Sequence, residues 1–512
     1  MQPWGNRAPR AASYDLIIIG TGAGGGTLAR ALAPSGARIL LLERGNVLPE
    51  EPENWSPHAV WRDLRYRTTE TWIGTDGQPF RPYTHYVVGG NTKFWGSVLF
   101  RLRPSDFGEV EHPGGRSPAW PITYEDLAPF YDEAEQLYHV RGAAGLDPTE
   151  GPRAPFPHPP VPHAPNMQQV AAQLATLRLT PFPLPLGLID PGTPGGCQLC
   201  NTCNSFPCRI RKKADAETCG VIPALAHADV ELVTGAYVER VLTSPDGRVA
   251  TGVEVRCEDG RHVVHAGTVV VACGAVNSAA LLLRSASGAH PAGLANRSGL
   301  VGARYMAHHA TMLQAFHPGR RNDDVFQKTL AVNDFYTAGT HGPLPLGQVQ
   351  SQGRTHGIMA KSVVPWIPQP LYDWWVARGV DWLAMTEDLP SAQNRVRLTP
   401  TGGIHLDYTP VNGDAHRQLV QRFTRTLKDL GYPIVMTYSH RTRNTTHQCG
   451  TAVFGDDPAR SVLDPYCRTH DVANLFVVDA SFFPSSAAVN PGLTIAAQAL
   501  RTAQHMRATG LA

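Results

Sequence analysis

The stretch Asp15-Leu-Ile-Ile-Ile-Gly20-Thr-Gly22-Ala-Gly-Gly25-Gly-Thr27-Leu-Ala-Arg30, followed by Arg38-Ile-Leu-Leu-Leu-Glu43-Arg-Gly45, decides the fold. Leu16 to Ile19 is an unbroken apolar run and reads as a parallel strand buried on both faces. Residues 27–33 continue as a helix packed on it. Between them lies a phosphate site: Gly20 permits the tight turn, Gly22 lets the backbone approach a pyrophosphate, and Gly25 allows close helix–strand packing. Glu43 ends a second strand about 20 residues on, where a carboxylate accepts hydrogen bonds from a ribose hydroxyl. Glycines alone are a weak signal, but strand, glycines, helix, second strand and acid in this order mark a dinucleotide site. Which dinucleotide is bound is not fixed by this unit.

At 512 residues the chain exceeds what one core usually supports, so two domains or a two-lobed body are expected. Lys plus Arg number 45 and Asp plus Glu 43, which implies no general attraction to nucleic acid or anionic membrane. Partners should be small molecules. The start, Met1-Gln-Pro-Trp-Gly-Asn-Arg-Ala-Pro-Arg10, lacks an apolar signal core, and the longest apolar runs are strand-length. The reading is a cytoplasmic protein with no membrane segment and a short loose N-terminal arm. Pro-rich stretches at 153–165 and 181–194 predict extended connections.

Further along, Gly89-Gly90-Asn91-Thr92-Lys-Phe94-Trp95-Gly96 suits a loop running close over a flat ligand, with a glycine turn capped by a core Trp as the alternative. Thr123 with Asp126 predicts a capped amphipathic helix. The alternating runs from Val230 through residue 267 read as a small antiparallel meander, and 268–272 as a returning parallel strand. The strand ends in Cys273-Gly274, a second close approach to the dinucleotide before a helix near Asn277. Residues 310–440 bring Trp366, Trp374, Trp375, Trp382 and strand-like runs, the look of a sheet-based substrate lobe. Residues 395–408 predict a hairpin around Pro400-Thr-Gly-Gly403.

Five of the nine cysteines fall between 197 and 219, four of them (Cys197, Cys200, Cys203 and Cys208) spaced C-x2-C-x2-C-x4-C. This spacing is similar to iron–sulfur ligation and also suits structural zinc. Free buried thiols or one disulfide are the alternatives. Pro207 precedes the last Cys instead of following it, so no metal is expected here.

The last 70 residues carry the chemistry. Thr446-His447-Gln-Cys-Gly-Thr451 places one His in a polar loop, 474–481 is a last buried strand, and Asn490-Pro491-Gly-Leu493-Thr494 opens a helix whose dipole faces whatever lies beside it. His447 pairs with Asn490 in matching loops.

These segments together resemble the glucose-methanol-choline (GMC) flavoprotein oxidoreductases over nearly the whole chain, in five motifs in family order. The nearest branch is that of bacterial sugar and polyol dehydrogenases, pyranose oxidases and aminoglycoside alcohol oxidases. The resemblance implies FAD and an α/β fold, mixed α+β over the whole chain. A Rossmann-like FAD-binding domain would cover 1–107, 197–310 and 435–512, and a second, antiparallel-sheet substrate domain 108–196 and 311–434. The implied cofactor residues are Gly20, Gly22, Ala23, Gly25, Glu43, Gly89, Gly90, Asn91, Thr92, Trp95, Gly96, Val238, Cys273, Gly274, Asp479, Ala480, Asn490, Pro491 and Leu493. His447 would accept the substrate hydroxyl proton while hydride passes to the flavin N5, and Asn490 would orient the alcohol. Phe94 stands where pyranose oxidases carry a flavin-bonded His, which predicts non-covalent FAD. The substrate implied is a sugar-like or polyol alcohol oxidised to a ketone or aldehyde, with O2 or another electron acceptor as partner. An NAD-dependent dehydrogenase and a non-catalytic flavin-binding redox sensor are the competing readings.

Overall fold

A computed structural model of the protein describes residues 4–339, 342–363, 365–440 and 445–511. Its organising element is a mainly parallel sheet. The strands Trp4–Gly5, Val230–Val233, Ile39–Leu42, Ser13–Ile19 and Gly260–Val271 lie side by side in that order, and Leu475–Val477 pairs with the end of Gly260–Val271. Ile17 and Ile18 have no exposed surface, as a strand covered on both faces requires. Truncating either to Ala would cost about 2–5 kcal/mol.

The registers Ile19↔Leu42, Val271↔Ile19, Val271↔Val477 and Val233↔Leu42 put the carboxyl ends of five strands level. In open α/β sheets ligands bind at that edge. The helix Ala23–Leu32 leaves it directly after the first strand, packed on the last helix, Gly492–Ala508. The seat of Ala23–Leu32 against the strand ends depends on glycine. A Cβ on Gly24 would sit 1.7 Å from the Val478 carbonyl oxygen, and one on Gly25 2.1 Å from that of Gly20.

Two expectations are corrected here. Val230–Val233 is not part of the antiparallel meander but runs parallel to Ile39–Leu42, all four residues buried. Its Val-Glu-Leu alternation misled because Glu231 is itself buried, accepting from the Tyr14 hydroxyl and the Arg10 backbone N–H. The N-terminal arm is not loose over its described part. Trp4–Gly5 pairs with Leu232–Val233, Asn6 accepts from Thr234, and Arg7 and Arg10 reach Glu231; residues 1–3 lie outside the described residues. The meander proper is Tyr237–Thr243, Ala250–Cys257 and the first half of Gly260–Val271, whose second half is the returning parallel strand. The following helix starts slightly earlier than expected, at Ala275–Arg284. The Thr123 cap on Tyr124–Leu137 forms as read, with Asp126 completing the box.

A second sheet is antiparallel: Ile434–His440, His309–Phe316, Gly379–Thr386, Gln348–Ser351, Leu330–Val332 and Pro181–Pro183. One face, with Leu313, Leu330, Val349 and Trp382, packs under Leu419, Phe423 and Leu427 of the helix Gly413–Asp429. Trp366 and Trp374, in contrast, are exposed. The expected hairpin forms as Arg395–Leu398 and Ile404–Asp407, joining a small sheet with Trp72–Gly74 instead of the six-stranded one. Among the described residues no helix is long and apolar enough to cross a membrane.

Candidate active site

At the level strand ends, Gly20 turns the chain with φ +98°, and a Cβ there would meet the Ala272 carbonyl oxygen at 2.4 Å. Nothing lies within 4 Å of where Cβ atoms on Gly22 or Gly274 would stand, so both border open space at the start of a helix. The Gly89–Gly90 turn closes over the first of these, an added Gly90 Cβ falling 3.4 Å from Gly22 Cα. Buried Glu43 holds the edges together. It accepts from the Thr21 hydroxyl at 2.6 Å and the Gly45 N–H at 2.9 Å, while Gly89 N–H donates to that same Thr21 hydroxyl. Its desolvation raises the carboxyl pKa above the ordinary value. Asp479 does the same on the other side, accepting from Gly274 N–H at 2.9 Å and Ser481 N–H at 2.8 Å. Glycine notches facing open space, helix N-termini and buried acids on adjacent strand ends fit a dinucleotide such as FAD.

The other expected cofactor residues converge on this edge. Ala23 opens the glycine helix, and Asn91 and Thr92 sit in the short turn Gly90–Lys93. Asn91 accepts from His85 N–H. Val238 lies two residues beyond Ala236, whose N–H donates to the Glu43 carbonyl. Cys273 directs its thiol to the Ile19 carbonyl, and Ala480 accepts from Gly450 N–H, tying the Asp479 turn to the His447 loop. Trp95 meets the last helix, where a Cβ on Gly492 would collide with its ring at 2.6 Å, and Gly96 borders Lys328 and Asn204. Pro491 caps that helix and Leu493 is fully buried in its first turn.

Sequence reading missed what clamps the 89–96 loop. Lys93, 2% exposed, forms ion pairs with Asp215 at 2.9 Å and with Glu217. Lys213 Nζ lies within 3.3 Å of four backbone carbonyl oxygens, those of Lys93, Trp95, Cys203 and Phe206, which share its three hydrogens. Two buried ammonium groups thus fasten the loop to the segment 203–217.

His447 sits in the left-handed backbone region at φ +52°, a conformation that costs free energy and recurs at functional sites. Its Nδ1 is 2.9 Å from Nδ1 of His308, whose Nε2 is 3.0 Å from the Ser486 carbonyl oxygen. A carbonyl only accepts, so His308 Nε2 carries the hydrogen and, in the neutral ring, its Nδ1 accepts. His447 Nδ1 must then donate, and its Nε2 is left as a bare acceptor. The adjacent pair His308-His309 was visible in the sequence, but nothing local joined it to His447. Asn490, the other residue expected beside the flavin, has a buried Oδ1 with no hydrogen-bond partner among the described residues.

Burial pushes His447 down to about 3, and the neighbouring His308 and Lys328 act in the same direction. Were His447 the base in an alcohol oxidation, protonation would disable it, and the acid limb would lie near that value and not at the ordinary His value of about 6.5. Anaerobic flavin reduction is expected to hold its rate from about pH 8 to about pH 5. A rate that falls through about pH 6.5 would show that His447 titrates as an exposed imidazole.

All nine cysteines are free thiols. Cys197, Cys200, Cys203 and Cys208 line one small cavity with Trp55, Lys213 and Phe326. Among the described residues, the three-residue group with metal-ligand spacing is elsewhere, Cys257, Asp259 and His262.

Two family models described as GMC oxidoreductase match the chain, over residues 187–310 and 390–499. Paromamine 6'-oxidase of Streptomyces fradiae is 32% identical, with 96% of this chain and 91% of that protein covered. The 2-methyl-1,2-propanediol dehydrogenase of Mycolicibacterium austroafricanum is 28% identical over 96% of this chain and 95% of its own. Among solved structures, pyridoxine 4-oxidase from Mesorbium loti superposes with a TM-score of 0.68 at 20% identity, covering 96% of this chain and 99% of that one.

Proposed function

The chain belongs to the GMC oxidoreductase family, an FAD-dependent oxidoreductase acting on CH–OH donors, and from that premise we propose that it oxidises a hydroxyl of a sugar-like or polyol substrate to a ketone or aldehyde. The observation that carries this reading is the directed chain Ser486–His308–His447, which leaves one imidazole nitrogen free to accept a proton. FAD, when bound along the strand ends, supplies the hydride acceptor, its N5. Gly20, Gly22, Gly25, Glu43, the 89–96 loop, Gly274 and Asp479 hold it. His447 Nε2 takes the hydroxyl proton, which allows the carbon-bound hydrogen to leave with its electron pair. Asn490 would orient the alcohol by donating an amide N–H to the hydroxyl oxygen whose proton His447 takes, its Oδ1 having no partner among the described residues. The segments 1–107, 197–310 and 435–512 are assigned to the cofactor-binding part and 108–196 and 311–434 to the substrate-binding part, except that residues 435–440, as part of the strand Ile434–His440, belong with the antiparallel sheet. Electrons leave to O2 or another acceptor, and no metal is assigned a role.

Among the relatives one is named for paromamine and one for 2-methyl-1,2-propanediol, a diol, which supports a hydroxyl-bearing substrate of this kind. Anaerobic flavin reduction across sugars, glycosides, aminoglycosides and simple alcohols, followed by admission of O2, tests substrate class and acceptor together.

The cofactor is held without a covalent bond. Phe94 stacks on His85 at 3.6 Å between ring centroids, so the position where pyranose oxidases bond their flavin carries a hydrocarbon ring. Acid precipitation is expected to leave a colourless pellet and a yellow supernatant. Colour retained in the pellet would refute this.

A further inference from the structure

The strand Gln348–Ser351 reads Gln-Val-Gln-Ser, with Gln352 next, and its alternation is inverted relative to an ordinary half-exposed strand. Val349 faces the second hydrophobic core, so Gln348 and Gln350 lie on the opposite face of the sheet. There Gln348 is paired across the sheet with Met385, and Gln350 with Leu383 and Ala331. The glutamines are 0%, 1% and 4% exposed in chain order. Both polar atoms of Gln348, Oε1 of Gln350 and Oε1 of Gln352 have no hydrogen-bond partner among the described residues. Each such buried atom costs free energy unless something pairs with it, so a row of them points to a ligand.

The row runs into the site. A Cβ on Gly353 would fall 3.1 Å from Asn204 Cβ, and Asn204 Oδ1 accepts from Lys328 at 2.8 Å. Lys328 Nζ stands 1.7 Å from where Gly96, in the cofactor loop, would carry a Cβ. This lysine is 2% exposed and forms no ion pair among the described residues, so two of its three donors are free for a ligand. Its charge is near enough to His447 to disfavour protonation there, and burial itself pulls Lys328 down to about 7.

We propose that Gln348, Gln350 and Gln352, with Asn204 and Lys328 at the row's end, seat the non-reacting hydroxyls of a neutral polyol, and that Lys328 disfavours a substrate bearing an ammonium at that end. A carboxamide presents one donor group and one acceptor side by side, and adjacent hydroxyls present the complementary pair. This deepens the reading of the site as a polyol oxidoreductase and rests on it. Below about pH 7, where Lys328 carries its charge, a buried ammonium without a counter-charge repels a second one.

The test uses the holoenzyme with D-sorbitol, methyl β-D-glucopyranoside, D-glucosamine and n-butanol. Anaerobic reduction at rising concentration gives the limiting rate and apparent Kd for each, and the melting temperature with and without polyol gives binding independent of turnover. Gln348→Leu and Gln350→Leu are expected to lower the polyol-to-butanol ratio of rate over Kd at least about tenfold and to erase the polyol-induced rise in melting temperature. Gln350→Glu keeps the side chain's shape while removing a donor, and should erase that rise as well. Lys328→Met should bring D-glucosamine up to the glucoside. Variants that keep the parental ratio and thermal shift, or a parent that binds D-glucosamine better than the glucoside, would overturn the seat. A parent reduced by no alcohol, but still stabilised by polyol, would instead defeat the reading of function and leave the seat standing.

Discussion

His447→Ala is expected to slow anaerobic flavin reduction at least about 10²-fold while leaving the FAD spectrum nearly intact. The size follows from what the side chain does. A positioned base contributes typically about 10²- to 10⁴-fold, and here position and tautomer are both fixed by the bond to His308 and, through it, to the Ser486 carbonyl. The spectrum should survive because the glycine turn, Glu43 and Asp479 do not depend on this imidazole. His308→Ala should reproduce part of the loss, since it removes the acceptor that holds His447 Nδ1–H in place. If His447→Ala reduces its flavin at the parental rate with every alcohol, His447 is a structural histidine and the proposed chemistry is wrong.

Lys93→Met is expected to unseat the cofactor and to lower stability by about 3–5 kcal/mol, the cost typical of breaking a buried ion pair from one side. Methionine fills much of the same space, so the loss isolates the charge. Asp215 has no exposed surface and Glu217 is 2% exposed, and without the ammonium two carboxylates face one another in the interior. The same substitution loosens the Gly89–Gly96 loop, whose ties to the segment 203–217 would then be Lys213 donating to the Lys93 and Trp95 carbonyls, Ala216 N–H donating to the Thr92 hydroxyl and Ser205 N–H donating to the Phe94 carbonyl. Urea midpoint and FAD retained after gel filtration are the readouts. A Lys93→Met protein with parental midpoint and a full complement of FAD would show that this ion cluster does not hold the loop.

The nucleotide edge was legible because its signals are local: an apolar strand, glycines at a turn, and an acid at the next strand end. The proposed catalytic residues His447 and Asn490 were legible only as two polar loops, and the contact by which His308 sets the tautomer spans 139 residues, which no periodicity carries. Val230–Val233 was misread because a buried Glu231 mimics a solvent-facing position when its partners, Tyr14 and Arg10, are more than 200 residues away. The N-terminal arm was misread because a two-residue strand has no pattern of its own and is made by its neighbour. The glutamine row shows the reverse limit. Its alternation was plain, but which face is covered is decided by the helix Gly413–Asp429, which buries the Val349 side and leaves the amides toward the rest of the body.

The most direct test of the central claim is the colour of the flavin when the anaerobic holoenzyme is mixed with a polyol panel. The account predicts that at least one polyol bleaches the FAD and is recovered as the matching ketone or aldehyde, in equal amount to the flavin reduced. A flavin that stays oxidised against every alcohol, in a protein that retains its FAD, would contradict it.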